Sequence, residues 1–200
     1  MGVKMDPITA NLPPTLTARL DALPDGLRAH VERVRGIARE LATAHALDPA
    51  TADLTAAAHD IARHIPGRML IEEAERLGIL VNAVERAAPI LLHGPVGAAW
   101  LQEDGAVDDP EVLEGVHWHT TAHPDLAPVG QVVFVADKLD PMKQKAYPFQ
   151  PEVRAAADRN LHEGVLAFLD GALRTHLERR ELIHPMSAET RNSLLIALAC

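Results

Sequence analysis

Aromatic residues make up only 3% of this 200-residue chain, and cysteine occurs once, at Cys200. With so little aromatic surface, the core must be filled by Leu, Ile, Val and Ala from the 48% of residues that are hydrophobic, as in helix bundles. A lone thiol excludes an intramolecular disulfide and a thiolate metal cluster. No apolar run approaches the ~20 residues that span a bilayer. The opening Met1-Gly2-Val3-Lys4-Met5-Asp6 has neither the apolar core of a signal peptide nor the hydroxyl residue of a myristoylation signal. Basic residues are outnumbered as well: 19 Lys and Arg against 28 Asp and Glu leave a formal charge of -9, which excludes a broad basic surface for nucleic acid or anionic lipid. An anionic substrate would have to be gripped locally. These absences predict a soluble cytoplasmic protein with neither nucleic acid nor membrane as partner. They predict an all-α fold in a single domain over residues 16–200, behind a loose N-terminal segment of residues 1–15. A homodimer is compatible with all of this.

What the chain has in quantity is histidine, eleven in all. The spacing of Leu27, His30, Val34, Ile37 and Leu41 predicts a helix over 24–44 with His30 inside its apolar stripe, while Glu32, Arg33, Arg35 and Arg39 turn elsewhere. Asp48-Pro49 starts a second helix, expected to run to Arg63 with His59-Asp60 near its end. Short helices follow over 69–77 and 79–86. His93-Gly94-Pro95-Val96-Gly97 reads as a turn feeding a helix N-terminus. Asp109-Pro110 caps a helix in which Val112, Val116 and His119 share the apolar side. The Val-Val-Phe-Val run within 131–139 has strand propensity, but Val129, Val133 and Asp137 fall at steps of four, so it is read as helix. A long helix over 152–178 and a shorter one over 188–198 close the chain.

The His and Asp residues on inward faces or at helix ends are His30, His59, Asp60, His93, His119 and Asp137. Without thiolates, imidazole and carboxylate are the ligands for a divalent first-row metal, and six such groups suffice for two ions. Asp60 is the natural bridging carboxylate. His59, His30 and Asp137 would share the first ion with it, and His93 and His119 would hold the second. Taken singly, each histidine is more often a hydrogen-bonded core or surface group than a ligand, and the His-Asp dipeptide alone carries little weight. His64, His117 and His123 read as surface groups or supports, and His45 and His162 follow no common logic. Arg63, Lys138 and Lys143 are candidates to neutralise phosphate oxygens, with solvated helix-end charge as the equal alternative. The Gly94–Gly97 turn could seat a phosphate on its N–H groups. Trp100 and Trp118 read as core or pocket wall.

Ala58-His59-Asp60-Ile61-Ala62-Arg63, preceded by His30 and Val34, resembles the defining pattern of HD-domain phosphohydrolases. His93-Gly94-Pro95-Val96-Gly97-Ala98, His119-Thr120-Thr121, Ala136-Asp137-Lys138-Leu139-Asp140-Pro141 and the tail Leu182-Ile183-His184-Pro185 with Thr190-Arg191-Asn192 are similar to the YqeK-type family of symmetrical bis(5'-nucleosyl)-tetraphosphatases. The resemblance implies an HD-type helical domain with a dinuclear iron centre, with manganese or another divalent metal as the alternative. It implies that a metal-bound hydroxide cleaves diadenosine tetraphosphate to two ADP. The six residues above match that family's metal ligands, and Thr120 and Arg154 match positions near its substrate pocket. On this reading Asp60 and Arg63 act in catalysis, and Arg63, Gly94, Gly97, Thr120, Lys138, Lys143 and Arg154 bind substrate. The chain departs from the family pattern at Ala57, Ala58, Arg63 and Ala122, where leucines, lysine and glycine are usual. It departs again at Lys138, Asp140 and Lys143, where tyrosine, glutamate and arginine are usual. These changes bear on substrate preference. A nucleotidase or phosphodiesterase acting on another nucleotide, and a non-catalytic nucleotide sensor, are the rival readings.

Overall fold

A computed structural model describes residues 12–199, so most of the segment expected to be loose lies outside the described residues. Among the described residues the secondary structure is helical throughout, with eleven α-helices and no strand. In order they are α1 (Pro14–Asp21), α2 (Asp25–Ala44), α3 (Pro49–Ala58), α4 (Gly67–Arg76), α5 (Ala83–Ala87), α6 (His93–Glu103), α7 (Pro110–Trp118), α8 (Pro128–Lys138), α9 (Gln150–Arg159), α10 (Leu161–Arg179) and α11 (Pro185–Leu198). No helix is long and apolar enough to cross a membrane among these residues.

The ambiguous Val-rich run is the centre of the bundle. Every residue of α8 from Val129 to Lys138 is buried, with α2, α3, α7 and α10 packed around it. A helix buried on every side has no solvent-facing polar stripe, which is why the run has strand-like composition while it keeps the step-of-four spacing of Val129, Val133 and Asp137. Its Phe134 is fully enclosed and meets Phe168 of α10 edge to face at 5.4 Å. A second apolar cluster joins α1, α2, the end of α3, α6 and α7, and a third places α4 under the N-terminal half of α6.

The helix starts follow local chemistry. The Asp48 side chain accepts from the backbone N–H groups of Ala50 and Thr51, Asp109 accepts from Glu111, and Asn82 with Glu85 forms a reciprocal capping box. The helix expected over 152–178 is two helices. Asn160 leaves helical geometry (φ -158°, ψ 131°) and caps α10 by accepting from His162 and Glu163, which satisfies donors that a continuous helix would have paired internally. The helix expected to reach Arg63 ends at Ala58, and the chain continues to Arg63 in turns closed by Ile61 N–H to Ala58 O and Arg63 N–H to Asp60 O.

Arg35 does not turn away from the core. Its guanidinium is buried against the equally buried Asp53 of α3, at 2.7 and 3.1 Å, and Arg39 closes on the same carboxylate. A buried carboxylate between helices requires such partners.

Candidate metal centre and substrate cavity

Three of the four central histidines use one local device. His59 follows the last residue of α3, His119 follows the last residue of α7, and His93 follows a 3-10 turn over Pro89–Leu92. In each, the ring Nδ1 is directed at the carbonyl three residues back: Ala56 at 2.6 Å, Val116 at 2.7 Å, and Ile90. Carbonyls at a helix end lack an intrahelical donor, and a carbonyl can only accept. Nδ1 therefore carries the proton and Nε2 keeps its lone pair. His30, from the second turn of α2, differs: its Nδ1 meets Asp140 Oδ2 at 2.5 Å.

The four Nε2 atoms converge with two carboxylates. Asp60 Oδ1 lies 3.0 Å from His93 Nε2 and 3.4 Å from His119 Nε2, while Oδ2 lies 3.4 Å from both His30 Nε2 and His59 Nε2. Asp137 Oδ1 stands 3.0 Å from His30 Nε2 and 3.8 Å from His59 Nε2. Each oxygen of Asp60 thus faces its own pair of imidazoles, in the two groupings His30-His59-Asp60 and Asp60-His93-His119. All six predicted ligands meet here, drawn from α2, the turn after α3, α6, the end of α7 and α8.

The donor set fits metal. Both Asp60 oxygens are fully buried, and neither accepts a hydrogen bond. Lone-pair nitrogens of His93 and His119 face each other at 2.9 Å. Such a cluster needs cations at its centre. The electrostatics agree. Burial alone would push Asp60 upward, but the surrounding imidazoles of His59, His119 and His30, when they carry protons on Nε2, hold it well below the usual carboxylate range. Asp137 is likewise held low against burial, by Lys138 and Lys143 first and by His30 and His59. Burial drives His119 down to about 3, so its ring is neutral. For His30 burial is outweighed by Asp137 and Asp60, which raise it to about 9. That second proton sits on Nε2, where metal would replace it.

A cavity of about 830 Å³ opens onto this cluster, with His93 and Asp137 in its floor. Arg63 lines it, its Nε 3.5 Å from Asp60 Oδ2. Thr120 lines it with Oγ1 3.2 Å from His119 Nε2. Lys143 lines it and pairs with Asp137 Oδ1. Lys138 also borders the cavity but is 5% exposed and committed: Nζ donates to Asp137 Oδ2 at 2.6 Å and to His119 O at 2.9 Å. It braces ligands rather than reaching outward. Apolar lining comes from Ile90, Leu91, Phe168, Leu173 and Ile183.

Three expected substrate residues lie elsewhere. Gly94 and Gly97 belong to α6 itself and are buried. A Cβ at Gly94 would stand 2.6 Å from His117 O, and one at Gly97 would stand 3.4 Å from Ile61 Cγ1. Gly94 lets α6 close on α7, bringing His93 to His119, while Gly97 packs at ordinary contact distance on the turn after α3, and both are buried in helix rather than open as a phosphate seat. Arg154 points away from the cavity, to Asp158 at 2.8 Å and to Glu40. Position 122, usually glycine in the family that the sequence resembles, has φ 60°, and its N–H donates to Trp118 O, so Ala122 holds a left-handed helix end with its methyl buried.

Sequence reasoning missed Asp140 and Arg33 as supports of His30, and it gave His184 no role. His184 caps α11 by accepting the Met186 N–H at Nδ1, 3.2 Å, and its Nε2 lies 3.0 Å from Asn82 Nδ2 and 3.4 Å from Glu85 Oε1, which ties the start of α11 to α5 beside the cavity. A His-Pro pair at a helix start was the available signal for the cap, but no local pattern foretells Asn82, the cap of α5, as its neighbour.

The model of the HD domain family matches residues 27–142, which contain all six central residues. The chain is 30% identical over 171 residues to the symmetrical bis(5'-nucleosyl)-tetraphosphatase of Halalkalibacterium halodurans, covering 84% of this chain and 88% of that one. It is 26% identical over 166 residues to the enzyme of the same name from Bacillus subtilis, covering 83% and 88%. The fold matches the crystal structure from Clostridium acetobutylicum described as a predicted HD superfamily hydrolase involved in NAD metabolism, with a TM-score of 0.85, 26% identity and 92% and 96% coverage. HD domains are metal-dependent, and the His/Asp cluster supplies the groups that could hold the ions. With the family match over more than half of its length and relatives spanned nearly end to end, the chain belongs to the HD-domain family and is a hydrolase within it.

Proposed function

We propose that this enzyme hydrolyses diadenosine tetraphosphate symmetrically to two ADP at a dinuclear, iron-loaded centre, and that it does so in the cytoplasm. The observation that carries the dinuclear reading is Asp60, whose two buried oxygens each face a separate imidazole pair, one of which includes the cavity-lining His93. His30, His59, Asp137 and Asp60 would hold one ion, and His93, His119 and Asp60 the other. When bound, the ions supply Lewis acidity toward phosphoryl oxygens and lower the pKa of water. The names of the relatives at 30% and 26% identity supply the substrate.

The protein's own groups suit the anion. Arg63, Thr120 and Lys143 place donors around the floor, so phosphate is gripped inside the cavity although the chain carries a net charge of -9. The apolar wall of Ile90, Leu91, Phe168, Leu173 and Ile183 offers a face for nucleoside. Water adds to an inner phosphorus, the bond to the central bridging oxygen breaks, and ADP leaves. ADP is stable enough as an anion to depart without a dedicated proton donor, so no general acid is assigned.

The test is incubation of the iron-loaded full chain with diadenosine tetraphosphate, followed by chromatography. ADP as the sole early product is expected. AMP with ATP, or no turnover, overturns the reading.

A further inference from the structure

The four central imidazoles are not held alike. His59, His93 and His119 each donate Nδ1–H to a neutral backbone carbonyl within their own turn. His30 alone donates to a carboxylate, across 110 residues of sequence. Asp140 is 1% exposed and fully engaged: Oδ2 takes the His30 proton at 2.5 Å, Arg33 donates to Oδ1 at 2.7 Å and to Oδ2 at 2.9 Å, and the Met142 N–H caps Oδ1 at 3.1 Å. The backbone that carries it is pinned too, since Gln150 Nε2 donates to Asp140 O at 2.9 Å and to Lys138 O at 2.6 Å. Nothing in this arrangement is free to rotate.

We propose that Asp140, locked by Arg33, is the positioning residue for His30, and that it strengthens the metal position formed by His30, His59, Asp60 and Asp137 without acting on the one formed by His93, His119 and Asp60. The inference rests on the dinuclear reading above. Two physical effects support it. A carboxylate on Nδ1–H fixes the ring's tautomer and orientation, and it raises the electron-donating power of Nε2 above that of a ring bonded to a neutral carbonyl. His30 needs this where the other three do not. His59 and His119 sit at helix ends with an orphan carbonyl within reach, and His93 uses the Ile90 carbonyl that already closes its own 3-10 turn, whereas His30 lies inside the second turn of α2, where the helix's own hydrogen bonds occupy the nearby carbonyls. Its orientation must come from another part of the chain, and the 3-10 turn after α8 provides it.

The arrangement is tested with full-length protein loaded with manganese(II) and challenged with rising chelator, the released ion being read by its electron paramagnetic resonance. In Asp140→Ala, one of the two bound equivalents is expected to leave at a chelator concentration ~10–100-fold lower than in wild type, while the other is retained as in wild type. Asp140→Asn, which keeps the size and an acceptor oxygen, is expected to show a smaller loss of the same equivalent. Asp140→Glu, which restores a carboxylate, is expected to recover most of it. Circular dichroism confirms the fold of each variant, and the Asn variant carries the test if Ala does not fold. Two equivalents in wild type that both persist in Asp140→Ala and Asp140→Asn, or that weaken together, overturn this inference alone. A wild type holding fewer than two equivalents overturns the dinuclear reading and this inference with it.

Discussion

His93 Nε2 and His119 Nε2 stand 2.9 Å apart, and each ring already donates its Nδ1–H to a carbonyl three residues earlier. Two acceptors at that distance repel unless something positive lies between them and Asp60. The protein therefore holds a preformed anionic and lone-pair cage, built from helix ends, and its chemistry follows from what fills that cage.

Asp60 is common to both halves of the cage. Asp60→Ala is expected to lower turnover by at least ~10³-fold while leaving the helical circular dichroism intact, because both proposed metal positions lose their shared ligand. Metal content measured beside turnover should fall from two equivalents. Retained activity would overturn the site assignment.

Arg63 lines the cavity beside Asp60 and is placed to meet a phosphate oxygen. Arg63→Ala is expected to lower kcat/KM for the dinucleotide by ~10–100-fold, about 1.4–2.7 kcal/mol. Steady-state kinetics decide it; an unchanged kcat/KM would return Arg63 to the surface.

The buried Arg35–Asp53 pair makes a stability prediction far from the chemistry. Arg35→Met strands a buried carboxylate with Arg39 as its remaining partner and should cost about 3 kcal/mol in urea unfolding. The double change Arg35→Met with Asp53→Leu should recover most of that loss, since no charge is then left behind. A double variant as weak as the single one would show that the pair itself contributes stability.

Ala122 occupies the left-handed region with its methyl buried. Ala122→Gly relieves ~1 kcal/mol of backbone strain but loses a methyl worth ~0.8 kcal/mol and adds ~0.4–1 kcal/mol of unfolded-state entropy, so stability should change by less than about 1 kcal/mol. Ala122→Val places a β-branched residue at positive φ and should cost at least about 2 kcal/mol. Thermal unfolding of both variants separates strain from packing; a harmless valine would sink the account.

Acid stability has a surface contribution that can be isolated. Arg76 first, and the Trp100 indole N–H at 2.6 Å, hold Glu73 down to about 2. A lowered carboxylate pKa stabilises the fold above the ordinary value near 4.5, and that contribution is lost as pH falls from about 4.5 toward 2. Glu73→Gln should flatten the pH dependence of unfolding in that window and shift the Trp100 fluorescence; an unaltered acid limb would refute the assignment.

The six central residues could be read from sequence because their types are scarce in a helical core and because three of them stand where helices stop. His119 could be placed from Val112 and Val116, and Asp137 from Val129 and Val133, as periodicity alone aims those side chains inward. What periodicity does not carry is a helix's distant partner. Gly94 and Gly97 looked like a loop motif, and only the packing of α6 on α7 shows that they are contact surfaces. Arg154 answers to Glu40 and Asp158, and Arg35 to Asp53, pairings set by tertiary geometry. The break at Asn160 was within reach, since Asn is a strong helix cap, but it was hidden inside a continuous helical pattern.

The six proposed ligands come from five segments lying between residues 30 and 137, in a chain whose single cysteine can form no internal cross-link. A filled centre would therefore serve as the molecule's fastener, tying together loops that nothing covalent closes. By mass action, an ion at one hundred times its Kd adds about 2.7 kcal/mol to the folded state. Metal scarcity would then act twice on this enzyme, slowing each molecule and thinning the number of molecules that survive proteolysis.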